Sequence, residues 1–187
     1  MISIFLIVLV AQAEYLMTTY DEYMNVYQLD KCYYTGSNTY TKYSKDGKKA
    51  RSYTSTTCDN WVDQGPFELN NNQFFVKNLP EYSAIVYSYL DAKHCTIKGS
   101  GPYPIEMLIK PGCVKTSETS SSKSEFVDDW FIKNIYDESE TCTGTPTNVV
   151  KIGLGICVTD DNGLYYTIRD SAMTYSMLFA MILAFII

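Results

Sequence analysis

His94 is the single histidine of the chain, so an imidazole-relayed nucleophile or a histidine-built zinc site would have to be assembled around one residue. The nearest serine in a glycine frame, Gly99-Ser100-Gly101, lacks the G-x-S-x-G pattern that lifts a nucleophile onto a strand-to-helix turn. Carboxylates are the other chemistry on offer. The 21 Asp and Glu residues include Asp128, Asp129, Asp137, Glu138 and Glu140, and two carboxyl groups at a suitable separation are enough for glycoside hydrolysis. No spacing singles out a pair, and acidic clusters ordinarily form solvated faces. Asp160-Asp161-Asn162-Gly163 has calcium-type oxygens but neither the EF-hand repeat nor its distal Glu, so it reads as a hairpin turn. A glycine-rich phosphate loop is absent. The expectation is a protein without catalytic residues, metal or cofactor, the alternative being a secreted or surface hydrolase that uses paired carboxylates.

The remaining reactive side chains are Cys32, Cys58, Cys95, Cys113, Cys142 and Cys157. No C-x-x-C occurs among them, and the closest two are 15 positions apart. An even set of this kind behind a secretory signal reads as a disulfide framework rather than as metal ligands or nucleophiles. Each bridge would contribute on the order of 3 kcal/mol, mainly by restricting the unfolded chain.

That reading depends on the compartment, which the two ends of the chain address. Residues 1–13, MISIFLIVLVAQA, hold an apolar run from Ile4 to Val10 followed by Ala11-Gln12-Ala13, the small-x-small pattern accepted by signal peptidase. Cleavage after Ala13 is expected. At the other end, Met177–Ile187 is apolar throughout, and an eleven-residue helix covers only about 16 Å against the ~30 Å hydrocarbon core. A glycosylphosphatidylinositol (GPI) attachment signal fits better, with Asp170-Ser171-Ala172 as the small-residue site and lipid attachment at Asp170 or Ser171. The spacer before the tail is short for such a signal, and a short transmembrane helix is the alternative. An upstream site at Asn162-Gly163 would lengthen the spacer but remove Leu164–Arg169, which reads as a strand. The expected location is the extracellular face of the plasma membrane.

The elements between these ends read as β. Thr39–Thr54 alternates on both sides of Asp46-Gly47, a dipeptide suited to a tight hairpin. A second hairpin is expected from Lys151–Thr159 and Leu164–Arg169 around Asn162-Gly163. Tyr15–Tyr20, Tyr23–Leu29, Gln73–Lys77, Tyr82–Leu90 and Ile105–Ile109 are further strands, rich in Tyr, Val, Ile or Thr and bounded by turn residues. Ser124–Tyr136 does not alternate cleanly and is the one helix candidate. Lys115–Glu125, KTSETSSSKSE, has no apolar residue with which to order itself on a core and reads as a flexible loop. No N-x-S/T sequon occurs, so N-glycosylation is not expected. The fold class is mainly β: a disulfide-stapled ectodomain, with one short helix at most.

A weak internal repeat organises these strands. Tyr15-x4-Tyr20 resembles Tyr82-x4-Tyr87, and each is followed by two cysteines, Cys32 and Cys58 or Cys113 and Cys142, at separations of 26 and 29. The repeat implies two β-rich modules, residues 14–78 and 79–170, meeting near Asn78-Leu79-Pro80, with residues 171–187 as the attachment signal or anchor. It also implies the pairing Cys32–Cys58 and Cys113–Cys142, which leaves Cys95 for Cys157.

Two features suit recognition. Seventeen tyrosines and the tryptophans Trp61 and Trp130 supply amphipathic faces that pack at interfaces at low entropy cost. Lys31, Lys42, Lys45, Lys48, Lys49 and Arg51 fall within 21 positions of a chain whose net charge is −6. Lys42, Lys45, Lys48, Lys49, Arg51 and Trp61 are therefore the candidate binding residues, for a glycan, an anionic surface or another surface protein. The overall acidity argues against nucleic acid. The function expected is that of a non-enzymatic, membrane-anchored ectodomain for adhesion or ligand recognition.

Overall fold

The structure, a computed structural model, describes residues 13–36, 38–89, 92, 95, 104–159 and 165–170. The signal segment, the C-terminal tail, His94, Gly99-Ser100-Gly101 and the Asp160–Gly163 turn lie outside the described residues, Ala13 alone excepted. Among the described residues the chain is mainly β, and the strands form three antiparallel sheets.

The central sheet has seven strands: β1 (Tyr15–Thr19), β2 (Tyr23–Gln28), β7 (Gln73–Val76), β8 (Ala84–Tyr89), β9 (Ile105–Ile109), β14 (Val158–Thr159) and β15 (Tyr165–Asp170). Their order is β14-β15-β8-β9-β2-β1-β7. Between β2 and β7 the chain leaves to build a four-stranded meander of β3 (Tyr33–Gly36), β4 (Thr39–Asp46), β5 (Lys49–Ser55) and β6 (Val62–Phe67). Between β9 and β14 it builds a second, of β10 (Cys113–Lys115), β11 (Ser121–Val127), β12 (Trp130–Tyr136) and β13 (Asn148–Gly153).

The two halves thus share one plan. Each makes a hairpin (β1–β2, β8–β9), a meander, and a returning strand that pairs with the first (β7 on β1, β15 on β8). They meet where β2 pairs with β9, so the central sheet takes strands from both sides of Asn78-Leu79-Pro80. The backbone repeats as well. Cys58 and Cys142 both sit at positive φ, 68° and 53°, and Asp30 (63°), just before Cys32, matches Gly112 (77°), just before Cys113. The β4–β5 and β11–β12 loops open with Gly47 (63°) and Asp128 (54°), closing the terminal pairs Asp46↔Lys49 and Val127↔Trp130. This register sets Met17 opposite Ile85 in the comparison, not Ala84, so the tyrosine spacing read from sequence is one residue out of step.

Alternation gives the central sheet two buried faces. One carries Met17, Met24, Val26, Ile85 and Leu108, covered by Leu79 and Tyr82 from the β7–β8 connection. Each such side chain stabilises the fold by about 1.5–3 kcal/mol on burial. The other face receives both meanders. Ala84 and Ile168 pack with Phe131, Phe126 and Ile152 of the second, while Tyr27 meets the rings of Tyr33 and Tyr43 of the first at 5.2 and 5.1 Å.

The disulfides are Cys32–Cys58, Cys113–Cys142 and Cys95–Cys157, the pairing the repeat implies, with no free cysteine among the described residues. The first two tie each meander's entry to the segment after its third strand.

Several sequence expectations are corrected. Ser124–Tyr136 is no helix but the β11–β12 hairpin. Its pattern misleads because the turn at Asp128-Asp129 is flanked by Phe126-Val127 and Trp130-Phe131, which put apolar side chains on both faces. Lys115–Glu125 is not a flexible loop: Ser121–Glu125 belongs to β11, and Ser121, Ser122 and Ser124 are buried. Hydroxyls do there what apolar groups do elsewhere. Ser121 Oγ donates to Ser139 O at 2.5 Å and accepts from Cys142 N at 2.9 Å. Ser122 Oγ donates to Glu22 Oε1 at 2.5 Å. Lys151–Thr159 is not one strand, since the turn through Leu154-Gly155, with Gly155 at φ 68°, separates β13 from β14. β3, β6, β10 and Asn148–Val150 of β13 were not legible from the sequence pattern.

Candidate functional site

The basic hairpin forms as expected, but its charges are largely engaged. On β4 and β5, Lys42, Ser44 and Asp46 stand opposite Tyr53, Arg51 and Lys49 on the face turned away from the central sheet. Arg51 lies between Asp46 at 2.8 Å and Asp63 at 2.6 Å. Hydrogen bonds to Asp46 and Asp63 push its pKa up. Asp63 is held low, first by the Gly65 N–H at 2.7 Å and then, against desolvation, by the hydrogen bond and charge of Arg51. Lys49 pairs with Glu68 at 2.6 Å, and that hydrogen bond raises its pKa. Lys45, on the opposite face, pairs with Glu14 and lies 5.0 Å from the centre of the Phe75 ring. Lys48 is exposed in the turn. Exposed pairs of this kind are worth little to stability, yet they cancel much of the local positive field.

What the structure brings together instead is aromatic. Lys42 Nζ lies 4.9 Å from the Tyr53 ring and 4.8 Å from the Trp61 ring, cation–π contacts of about 0.5–2 kcal/mol each. Tyr34 and Tyr40 meet edge to face at 5.4 Å on the same sheet. Ser44 Oγ is 3.4 Å from Tyr53 Oη, to which it donates. The outward face of the first meander is thus a shelf of rings with one ammonium set between two of them. The second meander has a smaller counterpart, where Lys151 Nζ lies 4.4 Å from the exposed Trp130 ring.

Among the described carboxyl groups, burial pushes one up: Glu106, to about 7. It sits on β9 between Val26 and Tyr87, a position no motif marked. Tyr87, raised to about 12 by burial and then by the Glu106 charge, and Tyr15, raised for the same two reasons, are its neighbours. No second carboxylate contributes to its shift. Asp128, Asp129, Asp137, Glu138 and Glu140 do not converge on it. Asp128 is in a turn, Asp137 accepts from Thr147 Oγ1 at 2.8 Å, and Glu140 pairs with Lys115. Among the described residues no group of three or more His, Cys, Asp or Glu is placed to hold a metal ion.

Asp170 ends β15, paired with Ala84, and Ser171 lies outside the described residues. No helix among the described residues is long and apolar enough to cross a membrane. Compared with protein-family models, curated proteins and solved structures, the chain matches none.

Proposed function

We propose that this chain is a non-enzymatic ectodomain, displayed on the outer face of the plasma membrane by a GPI anchor at Asp170 or Ser171, that recognises a glycan through the ring shelf of its first meander. The observation that carries the reading is Lys42 between Tyr53 and Trp61. Flat rings stack against the C–H faces of a sugar, and the hydroxyls and ammonium beside them supply directional contacts. Pairing of Lys45, Lys49 and Arg51 with acids favours the rings over a general anionic surface as the recognition element. The anchor position is consistent with the fold, because attachment at Asn162-Gly163 would delete β15, whose Ile168 is buried in the core. The hydrolase alternative needs a second carboxyl group beside Glu106.

The test is a glycan array probed with the full chain from an oxidising eukaryotic host. Binding by the wild type that Trp61→Ala and Tyr53→Ala each lower at least tenfold, while Lys48→Glu leaves it unchanged, supports the reading. Binding that survives both aromatic substitutions but disappears at high salt assigns the partner to an anionic surface instead. Release from cells by phosphatidylinositol-specific phospholipase C tests the anchor, and resistance to it favours the transmembrane helix.

A further inference from the structure

The two halves differ where their meanders meet the central sheet. In the first half the space is filled by three tyrosines, Tyr27, Tyr33 and Tyr43, whose rings meet edge to face. The backbone equivalence fixes their counterparts. Tyr43 lies three residues before Asp46, as Ser124 lies three before Val127 in the matching hairpin. Tyr33 pairs with Thr41, as Val114 pairs with Ser122. Tyr27 precedes the left-handed Asp30 by three residues, as Ile109 precedes Gly112. Three rings in one half are therefore Ile, Val and Ser in the other.

The consequence is a cavity of about 230 Å³ lined by those three replacements together with Val86, Met107 and Phe131. It is larger than the ~150 Å³ apolar cavity that suffices for benzene. Ser124 is 9% exposed, and its hydroxyl has no side-chain hydrogen bond among the described residues. Glu22 and Lys133, paired at 2.8 Å and each a little under a third exposed, stand where the cavity meets solvent. A hydroxyl presented to a mostly apolar chamber suits a ligand with one polar atom on an apolar body. The missing rings give the shape of that body.

We propose that this cavity binds a small monocyclic aromatic compound of the phenol class, its ring against Phe131 and Met107 and its hydroxyl on Ser124. The site is separate from the ring shelf, and its test does not depend on glycan recognition. Phenol and benzene are titrated into the full-length protein and followed by ligand-observed NMR and by thermal unfolding. Phenol is expected to bind saturably at one site per chain and to raise the unfolding midpoint. Ser124→Tyr, which restores the ring present at Tyr43, is expected to weaken it more than tenfold. Should that variant fail to fold, Ser124→Ala serves in its place, lowering phenol affinity about fivefold while leaving benzene unchanged. Absence of saturable phenol binding to the wild type overturns the proposal, as does phenol affinity that neither substitution changes.

Discussion

Lys133 Nζ lies 2.8 Å from Glu22 Oε1, joining β12 of the second meander to the turn between β1 and β2 at the other end of the chain. Ser122 donates to the same oxygen at 2.5 Å. One carboxylate oxygen therefore clasps two strands of one half to the first hairpin of the other.

Burial alone would raise the Glu22 pKa, but the hydrogen bonds from Lys133 and Ser122 and the Lys133 charge outweigh it and hold the carboxyl below its ordinary value. A depressed carboxyl stabilises the fold above its unfolded pKa and loses that contribution as pH falls through the folded value. Glu22→Gln is expected to cost about 1 kcal/mol at pH 7 and to flatten the acid limb of stability. Urea unfolding of both proteins between pH 2 and about 6 measures this. An acid limb unchanged by the substitution would show that Glu22 does not carry it.

Glu106 has the opposite sign. Its pKa is raised to about 7 by burial, so the folded chain holds a proton that the unfolded chain gives up. The associated stability is complete below the unfolded pKa of about 4.3 and is lost as pH rises through about 7. Glu106→Gln is expected to stabilise the protein above pH 7 by on the order of 2 kcal/mol and to abolish the decline between about pH 4 and 7. The check is the unfolding midpoint against pH, in which parallel curves for the two proteins would count against a buried, protonated Glu106.

The equivalence of the two hairpin turns predicts an asymmetric response. Gly47 and Asp128 occupy the same left-handed position, which costs an L side chain about 1 kcal/mol. Asp128→Gly is expected to be neutral or to stabilise by under about 1 kcal/mol, and Gly47→Ala to destabilise by about 1 kcal/mol. Equilibrium denaturation of both variants decides it, and a destabilising Asp128→Gly would mean that the Asp side chain holds the turn.

Gly153 is constrained by contact rather than by φ. A Cβ there would come 2.5 Å from Ile156 Cδ1 and 3.8 Å from the Trp130 ring. Because Ile156 is 54% exposed, its side chain can swing away. Gly153→Ala is expected to cost under about 1 kcal/mol, and less in an Ile156→Ala background. A double-mutant cycle read by thermal unfolding measures the coupling, which should vanish if the two residues do not touch.

Strand content was written in local pattern. Alternating Tyr, Val, Ile and Thr between turn residues located β1, β2, β4, β5, β7, β8, β9 and β15 to within a residue or two, because a strand with one buried face needs that period. The cysteine spacing carried enough of the repeat to imply the disulfide pairing, since two chain segments of like plan place like cysteines together. Segments that owe their order to distant partners could not be read this way. β11 is buried through hydroxyls whose acceptors, Glu22 and Ser139, lie elsewhere in sequence, and polar serines look like loop until those acceptors are in place. The basic cluster was legible as charge, but the acids that engage it, Glu14, Asp63 and Glu68, come from other elements. Its partition into ion pairs and a ring-bound Lys42 is a property of packing. Glu106 shows the same limit: nothing in its neighbours along the chain marks it, and only the closure of β2 and β8 around β9 removes the water that would keep its pKa ordinary.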